Sequence, residues 1–324
     1  MPSPAARDAQ STVGDRVVKS HLLSAAELFG QLEQIDELDD GQRSQLCWQQ
    51  LVKAATQDDF NVALDYAQEH ELISAAVADQ LRSRDSHTAA MPSWTHPVTG
   101  LEMIWIHPGV FYVGEELRRA RSAGFFLARH PVTNAQYAEF LADSGYQPPA
   151  DHPDNHMYLA HWDGPQPPRG LLNHPVVCVS MLDALAYCRW SGLALPSEWL
   201  WEKAARGCDG RRFPWGDSEQ PALFANVAHG GTMAVGSYSQ TRSAYGCEDL
   251  VGNVSEWCWY GEDGNFGAVP KREAAITPGD TAAVRGSCFL RVQSRGMTAA
   301  HRRRLSAGRR NYWVGFRPAF FVAD

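Results

Sequence analysis

Between residues 20 and 84 apolar side chains return at helical spacing. Ser24, with Glu27 three positions on, forms a capping box, and Leu28, Leu32 and Ile35 share the face that follows. Asp40 opens a second segment holding Leu46, Leu51 and Val52. Asp58 or Asp59 opens a third, carrying Phe60, Ala63, Leu64 and Ala67, and Ser74 a fourth, with Val77 and Leu81. The pattern predicts a small α-helical bundle over 20–84. It reads as an adaptor that docks a partner protein, or as a helical extension of the main domain. Residues 1–19 carry no such period and are expected to be disordered, and the polar stretch 85–99 reads as a linker.

From residue 100 the pattern changes. Short apolar runs at 103–106 and 110–113 predict strands. Helical spacing survives over 134–143, where Thr133 caps and Tyr137, Phe140 and Leu141 point inward, and again over 180–191 and 197–206. Ten of the eleven Trp follow residue 90. The expectation is one α+β domain over 100–324 with little regular structure, held by loop packing, buried Trp and bound ions.

Composition narrows the function. The chain has 324 residues and a net charge of −8, which argues against a general nucleic-acid-coating role. No apolar run approaches the length of a membrane span, and 1–14 lacks the apolar stretch of a secretory signal, so a cytoplasmic location is expected. Seven scattered cysteines with no CxxC pair read as free, mostly buried thiols. No GxSxG, HExxH or P-loop is present.

Several motifs occur in a fixed order. Met103-Ile104-Trp105-Ile106-His107-Pro108-Gly109 comes first, then Arg129-His130-Pro131-Val132-Thr133-Asn134 and His174-Pro175-Val176-Val177. Leu195-Pro196-Ser197-Glu198 leads into Trp201-Glu202-Lys203-Ala204-Ala205-Arg206-Gly207, followed by Phe213-Pro214-Trp215-Gly216. Asp249-Leu250-Val251-Gly252-Asn253-Val254-Ser255-Glu256-Trp257, Arg285-Gly286-Ser287 and Gly315-Phe316-Arg317 complete the series. The ordered set resembles the formylglycine-generating-enzyme family, also called the sulfatase-modifying-factor domain. The resemblance implies an elaborated C-type-lectin-like α+β fold. Glu198, Glu202, Arg206 and Arg317 are expected to form a buried ion network rather than a catalytic set.

The family's oxidases use a copper-binding cysteine pair, and the positions that match it here are Leu290 and Arg295. A thiolate copper site needs two soft ligands, and Cys288 alone does not supply them. A second branch, similar to sulfoxide synthases, binds iron through histidines of an N-terminal bundle. Residues 20–84 hold only His21 and His70. His152, His156 and His161 lie in a proline-rich loop, unsuited to ligation. No copper or iron is therefore expected. The resemblance does imply calcium at the Gly-Asn turn, held by the Asp249 and Glu256 side chains and the Gly252 and Val254 carbonyls. The alternative is a turn whose Glu256 meets an arginine.

Residues 285–317 hold nine Arg and no Lys, Asp or Glu, which leaves 20 basic against 37 acidic residues elsewhere. Arg285, Arg302, Arg310 and Arg317 sit where the family has arginines, and are expected to pair buried carboxylates. Between them lie Phe289, Leu290, Arg291, His301, Arg303, Arg304, Leu305, Asn311, Tyr312 and Trp313. Aromatic groups mixed with Arg are the composition of a binding surface. The layout also resembles the variable proteins of diversity-generating retroelements, whose varied residues lie between an Arg-Gly-Ser opening and a Gly-Phe-Arg close. These ten residues are expected to form one exposed ligand-binding patch over buried Arg302, Gly315, Phe316 and Arg317. The implied function is a non-catalytic sensor whose ligand is a protein with an acidic surface, with nucleic acid as runner-up and no membrane role. The alternative is a metal-dependent oxidase or oxygenase of the formylglycine-generating or sulfoxide-synthase type with an atypical site.

Overall fold

The computed structural model describes residues 93–107, 109–218, 225–227, 230–239, 242–261, 276–290 and 297–321. The helices expected over 20–84 lie outside these residues, as do Arg291 and Arg295.

Five strands open the domain: β1 (Ser93–Thr95), β2 (Glu102–Ile106), β3 (Gly109–Val113), β4 (Arg118–Ser122) and β5 (Phe125–Ala128). Helices α1 (Asn134–Ser144), α2 (Met181–Ser191) and α3 (Glu198–Arg206) follow. The chain closes with β6 (Ser255–Cys258), β7 (Thr281–Arg285), β8 (Arg302–Ser306), β9 (Val314–Gly315) and β10 (Ala319–Phe320). One antiparallel sheet has the order β1-β2-β5-β10, β3 and β4 form a hairpin, and a second sheet runs β8-β7-β6-β9. In that second sheet β9 lies parallel to β6.

Local chemistry sets the three helices. Thr133 accepts from the Gln136 backbone while the Gln136 side chain accepts from Thr133, a complete capping box. Ser180 and Asp183 repeat the device at α2, and Ser197 caps α3 by accepting from Leu200. Gly145 ends α1 at φ 63°, returning its N–H to Leu141, in a left-handed conformation that costs glycine little. Tyr137 and Phe140 face inward as the spacing requires; Leu141 is only half-buried.

The main core joins Ile104 and Ile106 of β2, Phe125 and Leu127 of β5, Leu200 and Trp201 of α3, and Ala283 of β7. Helix α3 lies at the centre of this core. All nine of its residues are buried, charged ones included. A helix charged on one face and buried on both must meet opposite charges inside, and those come from the C-terminal sheet.

Candidate functional site

Three buried ion clusters hold the C-terminal segment in place. On α3, Glu202 accepts from Arg206 at 2.8 Å, from Arg285 at 2.7 Å and from the Gly114 N–H at 2.8 Å. Glu198 accepts from Arg302 at 3.4 Å and from the Gly261 N–H at 3.2 Å. Arg310 meets Asp183 through two nitrogens, at 2.8 and 2.9 Å. Arg317 meets Glu256 in the same forked way, at 2.8 Å twice, and Trp201 donates to Glu256 at 2.6 Å. Burial would pull the Arg317 guanidinium down, but the Glu256 carboxylate holds it above its ordinary value. The four family arginines therefore pair carboxylates as expected. Two corrections apply: Arg317, expected in one network with Glu198, Glu202 and Arg206, pairs Glu256 instead while Arg285 joins Glu202, and Arg302 is not fully buried, with 31% of its side chain exposed where it lies over the Trp199 ring.

At the Asp249–Glu256 turn, expected to hold calcium, the Glu256 carboxylate is taken by Arg317 and Trp201. Asp249 accepts from the Gly236 N–H at 2.9 Å, and burial pushes its carboxyl up. Gly252, at φ 90°, packs so closely that an added Cβ would lie 2.9 Å from the Asn226 carbonyl. An alanine there would be both strained and crowded. The turn thus has the arginine-paired form of Glu256 and a glycine that cannot be replaced without movement.

The ten expected recognition residues divide. Leu290 and Tyr312 are exposed, at 59% and 51%, and Arg304 is exposed as well. Arg303 lies 5.4 Å from the Trp313 ring centroid, which joins β8 to the segment before β9. Leu305, Asn311 and His301 are half-buried. The Trp313 carbonyl accepts from the Ser255 N–H and the Asn311 carbonyl from Cys178, so the backbone beneath Tyr312 is pinned on both sides. Two points correct the expectation of a single exposed patch. Phe289 is buried, its N–H bonded to the Asn253 carbonyl. Arg304 stands on the other face of β8 from Arg303 and Leu305, because successive strand residues alternate. There it donates to the Tyr260 hydroxyl at 2.7 Å and lies 4.7 Å from that ring. Arg291 lies outside the described residues.

Sequence reasoning missed Tyr260 and Trp199, the two rings under Arg304 and Arg302. Each stands beside a family motif rather than in it. The signal that could have found them is the alternation of Arg302 and Arg304 along one strand face, which requires a partner surface of matching spacing.

Residues 89–320 match the family described as the sulfatase-modifying factor enzyme 1-like domain. The mouse formylglycine-generating enzyme is 29% identical over 241 residues, 56% of this chain, and this chain spans 64% of its length. Among solved structures, PvdO from Pseudomonas aeruginosa superposes with a TM-score of 0.56 at 20% identity, over 72% of this chain and 99% of that one. Variable protein 1 of Treponema denticola does so with a TM-score of 0.52 at 18% identity, over 72% and 99%. At these identities the two structures speak to the fold alone.

Proposed function

Since the chain belongs to the sulfatase-modifying factor enzyme 1-like domain family, we propose that it uses the family scaffold for recognition instead of oxidation. One observation carries the reading. Among the described residues six large apolar side chains stand well exposed, and Leu290 and Tyr312 of the 285–317 segment are two of them. A third, Tyr260, stacks with Arg304 of the same segment. Exposed rings and Leu beside arginines are costly to hydrate and favour a partner. Leu290 stands at the position of one family cysteine and Arg295 at the other, so neither thiol of the oxidase pair is in the chain.

The ligand class follows from charge. Four of the nine arginines in this segment are paired to the domain's own buried carboxylates, but Arg303 and Arg304 lie on aromatic rings instead, and these favour a protein with an acidic surface. The rigid base also suits a surface whose side chains are exchanged while the frame persists. The Arg285-Gly286-Ser287 opening and Gly315-Phe316-Arg317 close of the segment support a retroelement-diversified stretch between them. A near-repeat of the codons for 285–317 beside the gene, next to a reverse transcriptase, is the test of that point. For recognition itself, an acidic peptide array should bind the protein and lose binding on the triple change Arg303→Ala, Tyr312→Ala, Trp313→Ala. Arrays that ignore the triple change would sink the reading.

A further inference from the structure

A cavity of about 300 Å³ opens between the β3–β4 turn and the start of β8, on the Arg302 side of that strand. We propose that it binds the zwitterion of a free α-amino acid, at a site separate from the Arg303–Trp313 surface.

The walls differ in charge. Glu115 and Glu116 stand exposed on the turn, with Arg118 of β4 beside them 3.9 Å from Glu116, so this wall keeps a net negative charge; His301 and Arg302 face it from the far side, with Trp199 between. A ligand of one sign would meet a wall of its own sign. A molecule with a carboxylate and an ammonium a few bonds apart satisfies both at once: the carboxylate toward Arg302 and His301, the ammonium toward Glu115 and Glu116. The volume, at the small end for ligand sites, suits a molecule of amino-acid size.

Arg302 is placed to take a carboxylate. Its contacts with Glu198 are 3.4 and 3.5 Å, through Nη1 alone. Charge-assisted bonds are ordinarily near 2.7–2.9 Å. Arg285, by contrast, is fully buried and donates to Glu202 at 2.7 Å. Of the two arginines on this face, Arg285 is committed to the core and Arg302 retains donors toward the cavity.

Both walls are also held by the same helix. Gly114 donates to Glu202 and accepts from Arg206 at 2.7 Å, which fixes the turn on α3. On the opposite side Arg285, itself paired to Glu202, donates to the Ala299 and Ala300 carbonyls. A cavity whose two sides share one buried ion network is preorganised, so binding costs little ordering entropy. The sequence could not reveal it, because the walls are 186 positions apart.

The test is a thermal-shift and calorimetric screen of the full chain with the twenty standard L-amino acids, each also as its N-acetyl and carboxamide form. At least one free amino acid should raise the melting temperature, and blocking either end should abolish the shift. The double variant Glu115→Gln, Glu116→Gln changes only exposed side chains, so it keeps the fold, and should weaken binding at least tenfold. Arg302→Lys should weaken it as well, while Tyr312→Ala should leave it unchanged. No shift with any of the twenty overturns the proposal; so does equal binding of the blocked forms, or unchanged binding by the Glu115/Glu116 variant.

Discussion

Arg303 and Arg304 are neighbours in the chain and serve opposite faces of the sheet. Arg303 reaches the Trp313 ring at 5.4 Å, and Arg304 reaches the Tyr260 ring at 4.7 Å. The strand pleat therefore splits the basic run of β8 into two surfaces. One side carries Trp313, and the other continues through Arg302 to Trp199 and the cavity.

The buried Glu256–Arg317 pair should contribute strongly to stability. Both side chains are essentially inaccessible and joined by a forked contact. Removing one partner leaves a desolvated charge, so Arg317→Met should cost about 3–5 kcal/mol. Denaturant unfolding measures it. The same pairing bears on calcium: with Arg317 supplying the positive charge, chelation by EGTA should leave the melting temperature unmoved. A fall of several degrees, reversed by calcium and abolished in Glu256→Ala, would instead put the ion at this turn.

Acid should destabilise the domain before ordinary carboxylates titrate. His96 is buried, accepts from Thr99 through Nδ1, and burial pulls it down to about 4. The unfolded chain takes up this proton near pH 6.5, while the native chain refuses it down to about 4. The His96 contribution is complete above that window and is lost as pH falls through it, at up to about 1.4 kcal/mol per pH unit. His161, also pulled down to about 4 by burial, acts in the same direction. Glu102 joins at lower pH: burial pushes it up, but Arg129 more than offsets this and holds it below its ordinary value. His96→Gln should flatten the loss of stability between pH 6.5 and 4, measured by urea unfolding across that range. An unchanged slope would show that His96 titrates alike in both states.

The three helices were legible because each carries its own cap: Thr133 with Gln136, Ser180 with Asp183, and Ser197. The arginine–carboxylate pairs were legible as matched residue types, though not as partners, since Glu202 and Arg285 are 83 positions apart. The recognition residues were legible by composition and not by face. Arg302-Arg303-Arg304 has no apolar alternation, so nothing in the letters says which side chains share a side. Phe289 was misplaced for a related reason. A Phe beside an exposed Leu290 reads as surface until the Asn253 carbonyl is seen to hold its backbone inward.

Peptide-cysteine oxidation should be absent with or without added copper. A thiolate copper site needs two soft ligands, and the resemblance matches the family's cysteine pair to Leu290 and Arg295. The one thiol nearby, Cys288, is buried. Mass spectrometry of a sulfatase-type peptide after incubation should find no aldehyde product. Formation of formylglycine, lost on Cys288→Ala, would show that a single buried thiol suffices and would return the chain to the enzymes of its family.

Recognition should depend on Tyr312 and Trp313 more than on the exposed Arg309. Tyr312 is 51% exposed over a backbone pinned to Ser255 and Cys178, so it enters an interface with little loop entropy to lose. Trp313 is half-buried and stacked by Arg303, and supplies a preformed anchor. Truncating such an anchor typically costs 2 kcal/mol or more, about thirtyfold in affinity. Arg309 is exposed and pairs Asp154 at only 3.6 Å, so Arg309→Ala should act mainly through charge, by a few-fold and only at low salt. Binding to an acidic protein ligand, titrated at two ionic strengths, separates the two effects. Tyr312→Ala and Trp313→Ala should lose affinity at both, and Arg309→Ala should approach the wild type as salt rises. Equal, salt-sensitive losses in all three would mean that the segment attracts its ligand by charge alone and that the aromatic surface is not an anchor.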